Sequence, residues 1–464
     1  MIFIKIFISI FTLLIFLHGC SNISRSFGID ITNNKQQDEA FIRGDYNRSA
    51  NLAISNIDKG QEIDDEHLLS RLKAGNSFLF AKEYKYSQTM FNEAERIIKY
   101  QHEQIKLQTS SQYITQLLLN DATIAYKANI TDSIMLNTYK ALAYMQNNEF
   151  DQARVELNRA IDRQRRAKNL YATLIQKQKE AIKKEQREGK RINISIVDSI
   201  AKSHYSNMNN FQAYPNFINP FTTYLAGLYF LLVDDYSKSI DLLKEASAMT
   251  PKNNIMADDF QMAYDKLSGK TIDKHYVWVI FENGLAPIKQ EVRLNIPVFL
   301  VSDKVSYVGI ALPKLTSRYQ AFNNININSS EDSSKTYIVA DMDRVIKTEF
   351  KYGYKYIITR AILSATLKGV AQYQASKSGG EYASLAMGFL SALTTHADTR
   401  SWTTLPKDFQ ISKIKIPKDK KLSITYGLKH YNLVLDQDIK SAIVYVRIPT
   451  SISSPSISII NFKE

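Results

Sequence analysis

Hydrophobic and polar positions fall into three regimes along the chain. Residues Ile2 to Leu17 read IFIKIFISIFTLLIFL, an apolar run whose only charge is Lys5. From about Asp38 to Lys270 apolar residues recur at three- and four-residue spacing with few glycines and prolines, which predicts amphipathic helices. From about Lys274 the period changes to alternation. Tyr276–Phe281, Ile288–Ile296, Ser306–Leu312, Phe409–Ile416, Leu422–Gly427, Tyr431–Leu435, Ala442–Ile448 and Ile457–Phe462 read as strands. Glu282-Asn283-Gly284 carries a hairpin signal, and Pro287, Pro297 and Pro313 mark strand ends or edges. Helical spacing returns at Ala340–Ser376 and, after a Ser-Gly-Gly break, at Glu381–Thr395. There Tyr382 to Thr394, YASLAMGFLSALT, is too short to span a bilayer and predicts a buried core helix.

One two-helix template recurs in the helical half. In Ile218–Pro251, Asn219 is placed as an N-cap with Pro220 at the first helical position. Gly227 and Phe230 share a face of the first helix, and Asp234-Asp235-Tyr236 makes the turn. Ser239, Leu243 and Ala246 face back from the second helix, and Pro251 ends it. The same phasing appears in Gly75, Phe78, Tyr84, Ser87, Phe91, Ala94 and in Ala141, Tyr144, Phe150, Ala153, Leu157, Ala160, with a weaker half-repeat around Gly44-Asp45-Tyr46. This pattern resembles the tetratricopeptide repeat, where small residues let two helices approach and aromatics fill the gaps. A generic antiparallel helix array would leave nearly the same trace. The array is expected to be irregular, with an additional helix at Gln112–Ala128 and a long charged helix at 160–190 that bends near Gly189. That helix reads as a solvated arm in preference to a site for an acidic polymer. Repeat arrays offer a concave surface that receives a peptide or a protein partner.

Composition narrows the picture further. A chain of 464 residues makes two or more domains, and its net charge of +13 comes from lysines and arginines mixed with acids throughout, so no nucleic-acid partner is expected. A single cysteine excludes an intramolecular disulfide framework and any multi-cysteine zinc site. The seven histidines are scattered, and no HExxH, GxSxG or P-loop is present, so no metal, no cofactor and no catalytic residue is assigned. The cysteine itself sits in Leu17-His18-Gly19-Cys20, which looks like a lipobox despite His18, a residue the pattern does not prefer. We therefore expect a lipoprotein signal peptide over residues 1–19 and lipidation of Cys20, with membrane attachment through N-terminal acyl chains. An ordinary secretory signal or an uncleaved anchor helix are the alternatives. Ser21 after the cysteine resembles the sorting signal for the outer membrane with a body facing the periplasm.

The expected organisation is mainly α: a polar tether at 20–37, a helical repeat domain at 38–270 and an α+β domain at 271–464. The last carries a mostly antiparallel sheet and a helical insertion at about 340–396, with strands from both sides of the insertion joining in one sheet or sandwich. Within it, His396 to Pro406 is the most distinctive polar stretch. Asp398 and Arg400 are placed as a bidentate pair with Trp402 packing across the guanidinium. A salt-bridged corner is favoured there over acid–base chemistry with His396.

The stretches NTYKALAYMQNNEFDQARVELNRA, YPNFINPFTTYLAGLYF, ENGLAPIKQEVRLNIPV, GIALPKL and ADTRSWTTLP together resemble an uncharacterised bacterial lipoprotein family with tetratricopeptide-like repeats and a C-terminal domain of unknown function. The resemblance implies an envelope lipoprotein and brings no catalytic residues. It implies a structural or interaction role for Asn219, Pro220, Phe221, Asn283, Gly284, Asp398, Arg400 and Trp402. Members that accompany lipoprotein activators of penicillin-binding proteins add a hint of cell-wall synthesis. The polar linker at Asn323 to Ser334 departs from the family. The expected function is a non-enzymatic scaffold that binds a protein or peptide partner through its repeats. The alternative is a cell-wall accessory that regulates a peptidoglycan synthase or binds peptidoglycan.

Overall fold

The computed structural model describes residues 29–55, 67–107, 125–187, 194–208, 219–271, 275–297, 307–365 and 395–462, with a few single positions between them. The apolar N-terminal run, Cys20, the bend at Gly189 and almost all of the expected helix 381–395 lie outside the described residues. The helices are α1 (Ile29–Arg43), α2 (Tyr46–Ser55), α3 (Leu68–Phe80), α4 (Tyr84–Leu107), α5 (Ile130–Gln146), α6 (Phe150–Arg187), α7 (Ile194–His204), α8 (Pro220–Leu232), α9 (Tyr236–Met249), α10 (Asn254–Leu267) and α11 (342–365). A helical array thus precedes an α+β region whose strands are mostly antiparallel.

Four antiparallel pairs repeat one construction: α1/α2, α3/α4, α5/α6 and α8/α9. The first helix of each ends where Gly44, Lys82, Asn148 or Asp234 enters the left-handed region, at φ 82, 65, 60 and 64°. That residue reverses the chain in a single step. Inside the pairs, Ser87 Oγ donates to Gly75 O at 2.7 Å and Ser239 Oγ to Gly227 O at 2.8 Å, each bond reaching 12 residues back. Ser49 Oγ makes the equivalent bond to Gln37 O at 3.1 Å. In the third pair Ala141 and Ala153 meet without a hydroxyl, both fully buried. In the second and fourth pairs the first position must be small, because a Cβ on Gly75 would lie 2.7 Å from the Phe91 ring, and one on Gly227 2.8 Å from Leu243 Cγ.

Two expectations are corrected here. The half-repeat around Gly44 is a complete pair, because helix α1 starts at Ile29, inside the stretch 20–37 read as a polar tether, and buries Gln37. The additional helix at Gln112–Ala128 does not extend to its expected end. Residues 125–129 are irregular, and the remainder lies outside the described residues. Asn129 then caps α5, its side chain accepting from Asp132 N at 2.7 Å in a capping box.

The strands are β1 (Tyr276–Asn283), β2 (Ile288–Pro297), β3 (Tyr307–Thr316), β4 (Asn326–Asn328), β5 (Ser333–Lys335), β6 (Tyr337–Asp341), β7 (Asp408–Lys415), β8 (Lys421–Tyr426), β9 (Lys429–Val434), β10 (Ser441–Ile448) and β11 (Ser456–Phe462). They form a five-stranded sheet in the order β11-β10-β1-β7-β6, a four-stranded sheet β5-β4-β8-β9 and a ribbon β2-β3. Strands on both sides of α11 join in the larger sheet, with β1 and β10 parallel and its other pairs antiparallel. Strict alternation sends Val277, Val279 and Phe281 into a core shared with the four-stranded sheet. Trp278 and Ile280 face the helices. The result is three layers: helices, five strands, four strands.

Asn283-Gly284 does not make a hairpin. β1 is flanked by β10 and β7, and β2 leaves to pair with β3. Gly284, at φ 64°, turns the chain out of the sheet, while Asn283 accepts from the backbone of Ala321 and Phe322 and donates to Asp408. The stretch 323–334, read as a polar linker, contributes β4 and β5 and buries Ile325 and Ile327 completely. A separate core joins the ribbon to α7 and α11 through Tyr205, Leu312, Tyr354 and Ile358.

Replacing Gly75 with valine should lower the stability of the whole chain by about 2 kcal/mol, because the added carbons meet the buried Phe91 ring. Urea denaturation reads it; an unchanged or raised midpoint would show that the pair tolerates a wider spacing.

Candidate functional site

A repeat protein would hold a peptide against the inward faces of its helices, and here those faces pack on the chain's own strands. One continuous core contains residues of all four helix pairs together with Trp278, Ile280, Trp402, Phe409, Ile411, Ile443, Tyr445, Ile460 and Phe462. Phe80 stacks on Tyr445 at 6.4 Å between ring centres, Phe221 on Phe409 at 3.6 Å, and Phe150 meets Phe462 at 5.1 Å. The chain's own sheet packs against all four helix pairs.

At the centre of this contact lies a wholly buried ion pair. Arg447 Nε, from β10, is 3.2 Å from Glu282 Oε1, from β1, and neither side chain is exposed. Tyr139 of α5 donates to Glu282 Oε1 at 2.7 Å and Tyr445 donates to Oε2 at 2.6 Å. The guanidinium donates to the carbonyls of Glu282, Gly284 and Thr404 at 3.1, 2.7 and 3.1 Å. Its carbon lies 5.4 Å from the centre of the Phe41 ring and 5.9 Å from that of Phe80. Burial pushes the Glu282 carboxyl up against the pull of Arg447, and burial with the Glu282 charge pushes both tyrosines well above their ordinary value. A second buried carboxylate, Asp259 of α10, accepts from Tyr224 OH at 2.6 Å, Trp278 Nε1 at 3.1 Å and Lys413 Nζ at 2.8 Å. These contacts bind strands to helices.

The corner at 396–406 forms the bidentate pair, Arg400 Nε and Nη2 to Asp398 at 2.9 and 3.0 Å. Burial works to raise the Asp398 carboxyl, and the Arg400 fork outweighs it and holds it below the usual range. Trp402 does not cover the guanidinium. It packs inward against Tyr139 and Phe91 at 5.7 and 6.2 Å, and Tyr126 lies over Arg400 instead, at 5.7 Å. His396 contacts Arg293 at 3.1 Å and stands 3.5 Å from Glu291, so it takes no part in the Asp398 pair. Behind the corner, Glu349 of α11 accepts from Ile130 N, Thr131 N and Thr131 Oγ1 at 2.7, 3.0 and 2.6 Å and so closes the N-terminus of α5. Beside it Asp132 accepts from Tyr126 OH at 2.6 Å; burial, reinforced by Glu349, pushes its carboxyl up to about 6.

On the outer side, a cleft of about 430 Å³ opens between α4, α5 and α6. Lys140, nearly inaccessible, bridges Glu95 at 2.7 Å and Glu156 at 2.9 Å on its floor. Burial favours a raised Glu95 pKa, but the Lys140 contact and charge prevail and hold it down. Arg159 bonds Glu156 at 2.6 Å and Arg163 reaches Glu95 at 3.2 Å. Arg96 and Lys99 stand at the rim, exposed.

The residues singled out in the sequence sort into three places. Gly75, Phe78, Tyr84, Ala94, Ala141, Tyr144, Phe150, Ala160, Gly227, Phe230, Tyr236 and Ala246 belong to the helix pairs, at their seams or packed on the main core. Asn219 caps α8, accepting from Phe221 N at 3.1 Å, with Pro220 in the first turn. Asn283, Gly284, Asp398, Arg400 and Trp402 surround the junction of sheet and helices. Glu282, Arg447, Asp259 and Lys140 were missed. The first two did leave a signal: each is a charge at the helix-facing parity of an otherwise apolar strand. Among the described residues no His/Cys/Asp/Glu group could hold a metal ion, and no helix is long and apolar enough to cross a membrane. Compared with known proteins, the chain matches no family model and no curated protein sequence.

Replacing Arg447 with methionine strands a buried carboxylate and should cost about 3–5 kcal/mol in denaturant unfolding. The double change Glu282→Gln/Arg447→Met should cost clearly less than the sum of the single ones; strict additivity would mean the two groups do not interact. Asp132 gives a pH test. Its folded pKa lies above the ordinary aspartate value, so the stability it contributes is complete below about pH 4 and is lost as pH rises through 6. Between pH 4 and 7 the native protein should lose ~2–3 kcal/mol more than Asp132→Asn. Parallel profiles for the two would exclude a raised pKa.

Proposed function

We propose that the protein is an envelope lipoprotein, held at the outer membrane by acyl chains on Cys20 and facing the periplasm, that acts as a non-enzymatic scaffold for a protein partner. The partner binds the outer faces of the helical array, since the inward faces pack on the chain's own strands. The observation that carries this reading is the length of α6. It has 38 residues against 17 in its partner α5, and among the described side chains its last buried one is Ala167, packed with Ile130 and Ile134. The remaining five or so turns overhang the pair by about 30 Å at 1.5 Å per residue. Asn169, Thr173, Gln176 and Glu180 along it are exposed. A helix that extends past its own partner offers a surface on which another molecule can pack.

The overhang also favours a second reading. From Arg163 to Arg187 the helix carries nine lysines and arginines against two glutamates. Such a charge excess suits an acidic polymer, and a cell-wall accessory that touches peptidoglycan would use it.

A photo-crosslinking residue at Gln176 in living cells should give one discrete protein adduct, while the same residue at buried Trp278 gives none. Absence of any protein adduct at Gln176, with the protein sedimenting on purified sacculi at low salt, would overturn the scaffold in favour of the wall accessory.

A further inference from the structure

We propose that the cleft between α4, α5 and α6 is a binding site for an acidic, carboxylate-rich segment of a partner protein, a refinement that rests on the scaffold reading above. Its volume falls within the range of ligand pockets. Its lining is unlike that of an apolar ligand site: Thr89, Asn92 and six charged residues surround it. The two acids among them are already neutralised. Glu93 is held by Arg71 at 2.9 Å, and Glu95 by Lys140 and Arg163. The cations are in excess. Arg96 and Lys99 make no hydrogen bond or ion pair among the described residues, and Arg159, about half exposed, directs the same nitrogen at Glu156 and, at 3.7 Å, at Glu95. A guanidinium with spare parallel donors fits a carboxylate in a two-point contact.

The floor gives the site rigidity. Lys140 cannot swing out to meet a ligand, because it is fixed between Glu95 and Glu156, and Asn137 holds Glu156 at 2.6 Å. The rim cations are therefore presented from an ordered base. Beyond the cleft, Arg163 and Arg166 lie on the same face of α6, Arg163 bonded to Ser133 O and Glu95 and the exposed Arg166 paired with Asp162. A small anion would use only the rim, whereas an extended acidic segment uses both the rim and this face, which is why a peptide is favoured over a free ion.

The test is fluorescence anisotropy of a labelled pentaglutamate peptide with the full chain at low salt. We expect binding that weakens about tenfold in Arg96→Ala/Lys99→Ala and fades as salt rises past 0.15 M. The control Lys421→Ala/Lys429→Ala removes the same charge from exposed positions on β8 and β9 and should bind as the native protein does. The proposal is overturned if the native chain does not bind the peptide, or if both double variants weaken equally. It is also overturned if inorganic phosphate displaces the peptide at concentrations where glutarate does not. A Gln176 crosslink that persists in Arg96→Ala/Lys99→Ala while the peptide fails to bind the native chain removes the cleft and leaves the scaffold standing.

Discussion

A carboxylate and a guanidinium with no access to water decide how this molecule is assembled. Glu282 and Arg447 come from neighbouring parallel strands, and the groups that satisfy them come from elsewhere: Tyr139 from the third helix pair, the Thr404 carbonyl from the corner after the helical insertion. Phe41 and Phe80 of the first and second pairs close over the guanidinium. Burying two charges is costly, and the hydrogen bonds to both groups offset the loss of hydration, with Arg447 Nε held opposite Glu282 by charge and not by a hydrogen bond. Those partners exist only when sheet and helices are docked in one register. An apolar patch of the same area would bind the two layers as strongly and tolerate sliding; the ion pair does not tolerate it.

The consequence reaches to function. Helix pairs of this kind leave a hollow, and a hollow lined by Phe80, Phe91, Tyr139 and Phe221 would invite a ligand. Here Tyr445, Trp402 and Phe409 fill it from within. The array becomes a shell around a sheet, and the sheet in turn is covered on its other face by four more strands. What remains for other molecules is the outside: the charged cleft, the overhanging α6 and the satellite arm built by the ribbon with α7 and α11.

Much of this was legible in the residue pattern, for identifiable reasons. The helix pairs could be read because steric demand falls on few positions; Gly75 and Gly227 must be small, and Ser87 and Ser239 return to them across a fixed interval. The first pair was half missed because Gln37 takes the glycine's place and its neighbours are polar. Asn283-Gly284 misled because a turn signal reports local chain reversal and cannot say which strand follows; β1 pairs with β10, more than a hundred residues on. The stretch 323–334 looked like a linker because only Ile325 and Ile327 point inward. The junction itself was illegible as a pair: Glu282 and Arg447 are 165 residues apart, and only tertiary structure reveals that two misplaced charges answer each other.

The central claim is that helices and sheet form one cooperative unit locked at this junction. Native-state hydrogen exchange tests it most directly, by comparing amides of β1 from Trp278 to Glu282 with those of α5 around Tyr139. A common opening free energy for both sets, equal to that of global unfolding, is the outcome this account requires. Exchange of the α5 amides through a lower-energy opening while β1 stays protected would contradict it.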